Sequence, residues 1–498
     1  MSGRRYMPGL VCACLFLTVA PVSAIDAPVP AVGELPGSLQ AVIRGHKLPV
    51  ESVSIVVQEI GAAEPILSLN ADIPRNPAST IKLLTTWLAL EELGPAYTWP
   101  TEAYLDGKLE RGILHGDLII KGYGDPYFIT ERLWRFQRQL RMRGVRSIAG
   151  DLVIDNSYFS NEYDDPSEFD GEGMRVYNVT PDAFLINFQA VRFYFMPDLA
   201  KNTVQVIADP MPSNLTIENQ LQLGKGFCGG YQNGIGIRPS EPKYRNRIIL
   251  TGRYRSACEE YSLTRSVLTG PSYAYGVFRS LWEETGGTLS GDWRLGLAPV
   301  APEFSKNLPE ELSGDPEPFV RIESPPLSDV IRYINKFSNN VMARHLFLTM
   351  GAEAFEPPAT RAKARKAANE ALVRRGFEFP ELRLDNGAGL SRKTRIAASS
   401  MAEILIAAED RPWSAEFIAS LSLVGLDGTM RKRFKDEEIT GQMHLKTGRL
   451  TDVFATAGYV HARSGRDYVV VILQNYSGAD DGPGEEAQSA LLRWVYEQ

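Results

Sequence analysis

The chain has few of the residues from which metal, redox and nucleotide sites are built. Only 4 of its 498 residues are cysteine and 5 are histidine, and the histidines show no metal-ligand spacing. The sequence has no Cys-x-x-Cys, no His-Glu-x-x-His, no Gly-x-Ser-x-Gly elbow and no phosphate-binding glycine loop with its lysine. We therefore expect no metal and no organic cofactor, although a histidine triad assembled by the tertiary fold stays open at this point.

Basic residues do not outnumber acidic ones. Lysine and arginine number 53 against 60 acidic residues, which gives a formal net charge of −7, whereas nucleic-acid-binding proteins favour basic surfaces. A hydrophobic fraction of 44% and a charged fraction of 23% are typical of a soluble globular protein. The length allows several domains, so we expect a multidomain protein with no nucleic-acid partner.

A long apolar run occurs only near the N-terminus. Two arginines precede an apolar stretch from Leu10 to Ala20, and Val22-Ser23-Ala24 supplies small residues for cleavage after them. This pattern predicts a signal peptide over residues 1–24. We therefore expect an exported, periplasmic protein with no transmembrane span in the mature chain, and a membrane anchor is the alternative interpretation.

Cleavage at that point would leave two of the four cysteines, Cys228 and Cys258. Two cysteines in an oxidising compartment can form one disulfide. Two separate thiols remain the alternative, because the sequence does not show whether the geometry permits a bond.

The apolar pattern divides the mature chain into a helix-and-sheet part and a strand-rich insert. A hairpin is predicted over residues 52–69, and a helix follows from Thr80 to Leu93. Residues 98–264 read as a mainly β insert of one or two subdomains, with one helix near 130–144. Helical patterning returns after the insert, and C-terminal strands at hairpin spacing with a final helix predict an α+β fold there.

The first segment that suggests chemistry is Ser79-Thr80-Ile81-Lys82. Residues three apart lie on one face of a helix, so the amine of Lys82 can reach the hydroxyl of Ser79. A serine becomes a nucleophile when a base removes its proton, and a lysine is such a base once burial or a nearby cation lowers its pKa. Alone the motif is weak. Ser240-Glu241-Pro242-Lys243 has the same spacing, although its proline breaks a helix, and a serine at a helix start is most often a cap.

The second segment is Ser338-Asn339-Asn340, between two predicted helices. The hydroxyl of Ser338 can pass a proton to a leaving group, and the amide of Asn340 can hold Lys82 and a substrate backbone. An ordinary helix-capping turn is the alternative interpretation, and Ser68-Leu69-Asn70 has the same spacing.

The third segment is Lys446-Thr447-Gly448, on a predicted strand. Lys446 and Thr447 can bind a substrate carboxylate, and Gly448 lets the substrate backbone approach closely. The amide of Arg449 can point at a developing oxyanion together with the amide of Ser79. Lys446 also brings positive charge near Lys82, which lowers the pKa of a lysine.

Together the three segments, in this order, match those of penicillin-recognising serine enzymes. Within that group the chain resembles the D-Ala–D-Ala carboxypeptidase/endopeptidase family, also called class C low-molecular-mass penicillin-binding proteins. The insert between Lys82 and Ser338 is far longer than in β-lactamases. Residues 385–392 resemble the family's Gly-Ser-Gly-Leu-Ser-Arg signature, with Ala388 in place of a serine, and Gly428-Thr429 fits its C-terminal pattern.

The resemblance implies a transpeptidase-like catalytic domain formed by residues 25–97 and 265–498, with helices around an antiparallel sheet, and interrupted by the insert. It implies catalysis by Ser79, Lys82, Ser338 and Asn340, and substrate binding by residues 446–449. The expected substrates are peptidoglycan peptides with D-Ala–D-Ala ends or DD-cross-links, and β-lactams are expected as covalent inhibitors. Asp155, at the end of an insert strand, is a candidate contact for a substrate amine, with a solvated surface aspartate as the alternative.

Two other functions stay open at the level of the sequence. A β-lactamase or esterase would use the same centre and release its acyl group quickly. A non-catalytic peptidoglycan-binding protein would have no need of Ser79, Lys82 and Lys446 together.

Overall fold

The computed structural model describes residues 34–160, 165–229, 234–241, 244–299 and 316–498, and the predicted signal peptide lies outside them. The helices in these ranges are α1 (Gly37–His46), α2 (Lys82–Leu93), α3 (Thr130–Met142), α4 (Gly270–Glu284), α5 (Leu327–Phe337), α6 (Asn340–Phe355), α7 (Arg361–Arg374), α8 (Ala398–Glu409), α9 (Ser414–Ala419) and α10 (Pro483–Tyr496). The strands are β1 (Val53–Glu59), β2 (Leu67–Leu69), β3 (Pro100–Glu110), β4 (Ile113–Gly122), β5 (Ser147–Ile148), β6 (Leu152–Asp155), β7 (Val191–Asp198), β8 (Thr203–Asp209), β9 (Thr216–Asn219), β10 (Gln222–Gly224), β11 (Ile235–Glu241), β12 (Tyr244–Arg255), β13 (Tyr261–Arg265), β14 (Thr288–Leu289), β15 (Trp293–Leu295), β16 (Val320–Glu323), β17 (Ser422–Leu423), β18 (Met443–Leu450), β19 (Val453–His461) and β20 (Asp467–Asn475).

The first structural unit is a six-stranded sheet in the order β17-β18-β19-β20-β1-β2, with every neighbouring pair antiparallel. Strand β1 pairs with β2, which confirms the predicted hairpin. On its other side β1 pairs with β20, the last of the predicted C-terminal strands, so the first and last described strands lie side by side. On β20, Val469 and Val471 face one core while Val470 and Ile472 face another. Because both faces are covered, the strand reads as a continuous apolar run.

Helix α2 lies in the core on one side of this sheet, among α5, α6 and α8. All its residues from Lys82 to Leu90 are buried, so this part of the helix is enclosed by the protein on every face. Helices α1 and α10 cover the other side of the sheet. This arrangement confirms the predicted α+β fold.

Strand β18 has one edge that is only partly used. It pairs with β19 from Met443 to Leu450, but with β17 only at His444 and Leu445. Among the described strands no other partner pairs with residues 446–450 on the β17 side. This free edge can accept an extended peptide, in the way that exposed sheet edges bind peptide strands.

The insert contains a seven-stranded sheet built from β3 to β6 and β14 to β16. A three-stranded sheet, β13-β7-β8, and a four-stranded sheet formed by β9 to β12 complete it. Helices α3 and α4 share one core with these strands. The insert is therefore mainly β, and the predicted helix near 130–144 is α3.

Elements that follow residue 264, the predicted end of the insert, still pack against the insert. Helix α4 contributes Tyr273, Phe278 and Trp282 to the core of the insert, and β16 pairs with β3. Sequence reasoning assigned these elements to the catalytic part because helical periodicity does not show which core a helix packs against. We propose that the chain returns to the catalytic domain after Glu323.

The two remaining cysteines, Cys228 and Cys258, form a disulfide in the insert, with a Cα–Cα distance of 4.8 Å. The bond links the segment after β10 to the turn after β12, at the edge of the four-stranded sheet. The alternative of two separate thiols is thereby excluded.

Replacing both cysteines with serine should destabilise the insert by about 3 kcal/mol, because the bond closes a loop between residues 30 apart in sequence and so restricts the unfolded chain. Differential scanning calorimetry should show a lower midpoint for the insert. Reductant should lower the wild-type transition to that of the variant and leave the variant unchanged. Equal midpoints without reductant would contradict a stabilising bond.

Candidate active site

The candidate nucleophile, Ser79, lies in a 3₁₀ turn, Ala78–Ile81, that leads directly into α2. The turn is held by buried Asn76. The Oδ1 of Asn76 accepts a hydrogen bond from the amide of Ala78 at 2.9 Å, and its Nδ2 donates to the carbonyl of Ser391, also at 2.9 Å. The Ser79 side chain is half-buried and so is open to a substrate.

Lys82 is completely buried one turn beyond Ser79. Its Nζ donates to the Ser79 Oγ at 3.0 Å and to the Asn340 Oδ1 at 2.7 Å, and also to the carbonyl of Ala388. Burial, and then the positive charges of Lys446 and Arg344, hold the pKa of Lys82 well below its usual value. Neutral Lys82 has a lone pair with which to take the serine proton.

Ser338 and Asn340 lie at the junction of α5 and α6. Ser338 follows α5 in a left-handed conformation, and the side chain of Asn339 caps α6 by accepting from the amide of Met342. This tight junction turns Asn340 towards Lys82, while the Ser338 Oγ accepts a hydrogen bond from the Lys446 Nζ at 3.0 Å. The predicted helix-capping turn and the predicted site residues therefore occur in the same segment.

Lys446 is the second lysine buried in this centre. Its Nζ also donates to the carbonyl of Thr447 at 2.6 Å, and burial lowers the pKa of Lys446 to about 7. Thr447 is half-buried, and its hydroxyl donates to the Thr429 Oγ1 at 2.9 Å. A lysine and two hydroxyls thus lie together at one end of the free edge of β18.

Gly448 packs directly on the nucleophile turn. A Cβ at this position would lie 2.6 Å from the carbonyl oxygen of Pro77 and 2.9 Å from the amide nitrogen of Ser79. Only a glycine permits this approach. The guanidinium of Arg449 donates to the carbonyl of Asp480 at 2.7 Å, so its side chain is bound outside the lysine centre.

The structure brings Ser79, Lys82, Ser338, Asn340, Lys446, Thr447 and Gly448 together, and it does not support a binding role for Asp155. That side chain is only 2% exposed. Its Oδ1 accepts from the amide of Ser157 at 3.0 Å and its Oδ2 from the amide of Ala298 at 2.7 Å. Both alternatives proposed from sequence, a substrate contact and a solvated surface residue, are contradicted because the carboxylate is used to order the insert.

Three further groups were not found from sequence as parts of the site. The backbone carbonyl of Ala388 accepts a hydrogen bond from Lys82. The side-chain oxygen of Asn76 accepts from the Ala78 amide in the nucleophile turn, and the Thr429 hydroxyl accepts from Thr447. The signature-like segment 385–392 contributes to the site through the backbone oxygen of Ala388, which binds Lys82. The replacement of serine by Ala388 therefore leaves that contact intact.

Part of the insert lies against the site. The Asn340 Nδ2 contacts the carbonyl of Tyr177 at 3.4 Å, and the Arg344 Nη1 donates to the carbonyl of Val179 at 3.1 Å. Val179 and Leu185 also pack on Val341 of α6. The insert therefore supports the helix that carries Asn340.

Neither a metal site nor a membrane span is found in the described part of the chain. No group of three or more potential metal ligands occurs within these ranges, and none of the described helices combines the length and apolar character needed to cross a bilayer.

Residues 35–498 match the D-Ala-D-Ala carboxypeptidase 3 (S13) family. The D-alanyl-D-alanine carboxypeptidase of Actinomadura sp. (strain R39) is 25% identical over 462 residues, which cover 91% of this chain and 83% of that protein. The D-alanyl-D-alanine carboxypeptidase DacB of Haemophilus influenzae is 24% identical over 441 residues, covering 87% of this chain and 88% of that protein.

Solved structures show the same fold. Penicillin binding protein 4 of Haemophilus influenzae aligns with a TM-score of 0.74 at 21% identity, covering 92% of this chain and 99% of that one. A crystal structure of the same protein in complex with a β-lactam aligns with a TM-score of 0.72. With the family match over nearly all described residues, the resemblance expected from the sequence is confirmed. The chain belongs to the D-Ala-D-Ala carboxypeptidase (S13) family of serine-type hydrolases.

Proposed function

We propose that this protein hydrolyses the bond that follows a D-Ala residue in peptidoglycan stem peptides, through an acyl-enzyme on Ser79. The leaving group is a terminal D-Ala in the carboxypeptidase reaction and the amine of a cross-linked residue in the endopeptidase reaction. One observation carries the proposal: the Nζ of a completely buried lysine, Lys82, lies within hydrogen-bonding distance of the Oγ of half-buried Ser79, at 3.0 Å.

The first half of the reaction forms the acyl-enzyme. Neutral Lys82 accepts the Ser79 proton as the Oγ attacks the carbonyl carbon of the penultimate D-Ala. The negative charge on the former carbonyl oxygen is met by the amides of Ser79 and Arg449. The C–N bond then breaks, and the amine leaves with the proton that Lys82 took from Ser79, relayed through the Ser338 hydroxyl, so that Lys82 is neutral again.

The second half releases the product. Water attacks the ester, with Lys82 accepting its proton, and Ser79 regains its hydrogen. Each cycle consumes one peptide bond and one water molecule, and no oxidant or cofactor is required. Asn340 keeps Lys82 in place through both halves, because its Oδ1 accepts from the Nζ at 2.7 Å.

The free edge of β18 gives the substrate its direction. Lys446 and Thr447 attract the carboxylate next to the leaving amine, and Gly448 leaves room for the scissile carbonyl beside Ser79. The acyl part of the stem peptide then continues along Arg449 and Leu450, where the strand edge can form backbone hydrogen bonds. A β-lactam carries a carboxylate and a reactive carbonyl at similar spacing, so it should acylate Ser79 as well. The complex of the Haemophilus relative with a β-lactam supports this inference.

We also propose export to the periplasm, where peptidoglycan is found. The predicted cleavage after Ala24 and the disulfide between Cys228 and Cys258 support an oxidising compartment.

Exposure to penicillin should add one penicillin mass to the wild-type protein and none to Ser79→Ala, as seen by intact-protein mass spectrometry. The reason is that only the serine oxygen can form the ester. Ser240→Ala, which alters the Pro-broken Ser-x-x-Lys segment, is the matched control and should label fully. An adduct on Ser79→Ala would refute the nucleophile. Rapid loss of penicillin without a lasting adduct would favour the β-lactamase alternative.

The pH profile should report both lysines. Activity requires neutral Lys82 and charged Lys446, and burial lowers the pKa of Lys446 to about 7. For peptides with a free C-terminal carboxylate, kcat/KM should therefore fall as pH rises through about 7. The limb in kcat should lie at higher pH, because the bound carboxylate favours charged Lys446. A kcat/KM that keeps rising to pH 10 would contradict these assignments.

Gly448→Ala should reduce acylation at least tenfold, because the added methyl group would lie only 2.9 Å from the Ser79 amide nitrogen and would push the nucleophile out of place. Stopped-flow or quenched acylation with a chromogenic β-lactam would measure the rate. Gly441→Ala, at a half-buried turn with positive φ just before β18, is a control for a strained glycine that does not pack on Ser79. Unchanged acylation of Gly448→Ala would show that the close packing is not required.

A further inference from the structure

The Gly428-Thr429 pair is a sequence feature that the mechanism above leaves unused. We propose that Thr429 is a second hydroxyl donor to the substrate's C-terminal carboxylate, beside Thr447, and that it sets the preference for substrates with a free carboxylate. This inference rests on the proposed function, since it assigns a substrate group to that same site.

Thr429 lies where the carboxylate is expected. Its Oγ1 is 2.9 Å from the Oγ1 of Thr447, the residue that follows Lys446. Thr429 is exposed, whereas Lys446 is completely buried. The two threonine hydroxyls therefore lie closer to solvent than the buried amine of Lys446.

The position of Thr429 is fixed by its surroundings. A Cβ on Gly428 would lie 2.3 Å from the Ser422 Oγ and 2.7 Å from the carbonyl oxygen of Lys336, so only glycine lets this turn pack so closely. Asp427, just before it, accepts from the amide of Leu423 at 2.7 Å and pairs with the Lys336 ammonium. Thr429 is thus presented by a turn bound to both β17 and α5.

The hydroxyl hydrogen of Thr429 can turn towards a substrate carboxylate. The Ser422 hydroxyl donates to the carbonyl of Lys336 at 3.2 Å, and its oxygen accepts from the Thr429 amide at 3.2 Å. The Thr429 hydroxyl contacts the same Ser422 oxygen at 3.3 Å, which is the longest contact of the series. Turning that hydrogen to a carboxylate exchanges a long neutral hydrogen bond for a charge-assisted one, and Ser422 keeps its amide partner.

A carboxylate has two oxygens and accepts from several donors, and the single hydroxyl hydrogen of Thr447 reaches it only by turning away from the Thr429 Oγ1. The Lys446 ammonium already donates to Ser338 and to the carbonyl of Thr447, which leaves one hydrogen for the substrate. The side chain of Arg449 is held by Asp480. Thr429 supplies the second hydroxyl hydrogen at this end of the edge.

A purely structural role for Thr429 would affect every substrate equally, so the test compares two. The substrates are a peptide ending in D-Ala–D-Ala as the free acid and the same peptide as its C-terminal amide. Thr429→Val keeps the shape of the side chain and removes the hydroxyl, whereas Thr429→Ser keeps the hydroxyl. Thr216→Val, at an exposed position in the insert, is the matched control.

We expect Thr429→Val to lower kcat/KM for the free acid about tenfold, the effect of losing one hydrogen bond to a charged group, mainly through a higher KM. The amide should change less than about twofold, and Thr429→Ser should stay within about threefold of wild type on both substrates. Thr216→Val should match wild type. Acylation rates with a penicillin and its methyl ester, followed by intact-protein mass, should show the same selectivity.

Equal losses on acid and amide, or an unchanged acid-to-amide ratio in Thr429→Val, would overturn the inference. A wild-type protein that neither releases D-Ala nor forms a penicillin adduct would instead refute the proposed function itself. A thermal midpoint of Thr429→Val equal to that of wild type would show that any loss of selectivity is not a loss of folding.

Discussion

Burial of two lysine side-chain amines in one centre is the constraint on which the site depends. Lys82 and Lys446 are both completely inaccessible to solvent, and a buried charge is costly unless its hydrogens are bound. Here the acceptors are neutral oxygens, those of Ser79, Asn340 and Ala388 for one lysine and of Ser338 and Thr447 for the other. Within the described ranges no carboxylate forms an ion pair with either lysine. A carboxylate would raise the pKa of both and would silence Lys82 as a base.

The surrounding scaffold keeps the two lysines rigidly placed and away from water. Helix α2 is buried on all sides, so the turn that carries Ser79 begins a helix with little freedom to shift. The sheet is covered on both faces, and Gly448 lets β18 touch the nucleophile turn. The junction of α5 and α6 places Ser338 against Lys446 and Asn340 against Lys82. Four separate segments thus converge on a volume that holds two protonation sites.

The open side of the centre is built differently. There β18 has a free edge, and exposed or half-buried hydroxyls replace buried amines. Such an arrangement attracts an extended peptide that ends in a carboxylate, because backbone groups on the edge can pair with it while the buried positive charge fixes its end. The insert contributes through Tyr177 and Val179, which contact α6 from outside. It thereby supports the helix that carries Asn340.

The local features of the site could be predicted from the sequence. Three-residue spacing on a helix determined that Ser79 and Lys82 meet, and apolar alternation with hairpin spacing determined most strands of the catalytic sheet. The ordered motifs were enough to name the side chains that contact the two lysines, which are Ser79 and Asn340 for Lys82 and Ser338 for Lys446. These signals are short-range, so they survive without knowledge of the tertiary contacts.

Other features were decided only by the tertiary structure. The carbonyl of Ala388 reaches Lys82 across 306 residues of sequence, and a backbone oxygen leaves no mark in a motif. Asp155 resembles a binding residue in sequence, but its burial and its two amide partners make it structural. Helix α4 belongs to the insert because of the core it shares, which periodicity cannot show. Thr429 joins the carboxylate end because a glycine lets its turn pack on Ser422 and Lys336. Local sequence determined which groups could do chemistry, and long-range packing decided which of them lie together.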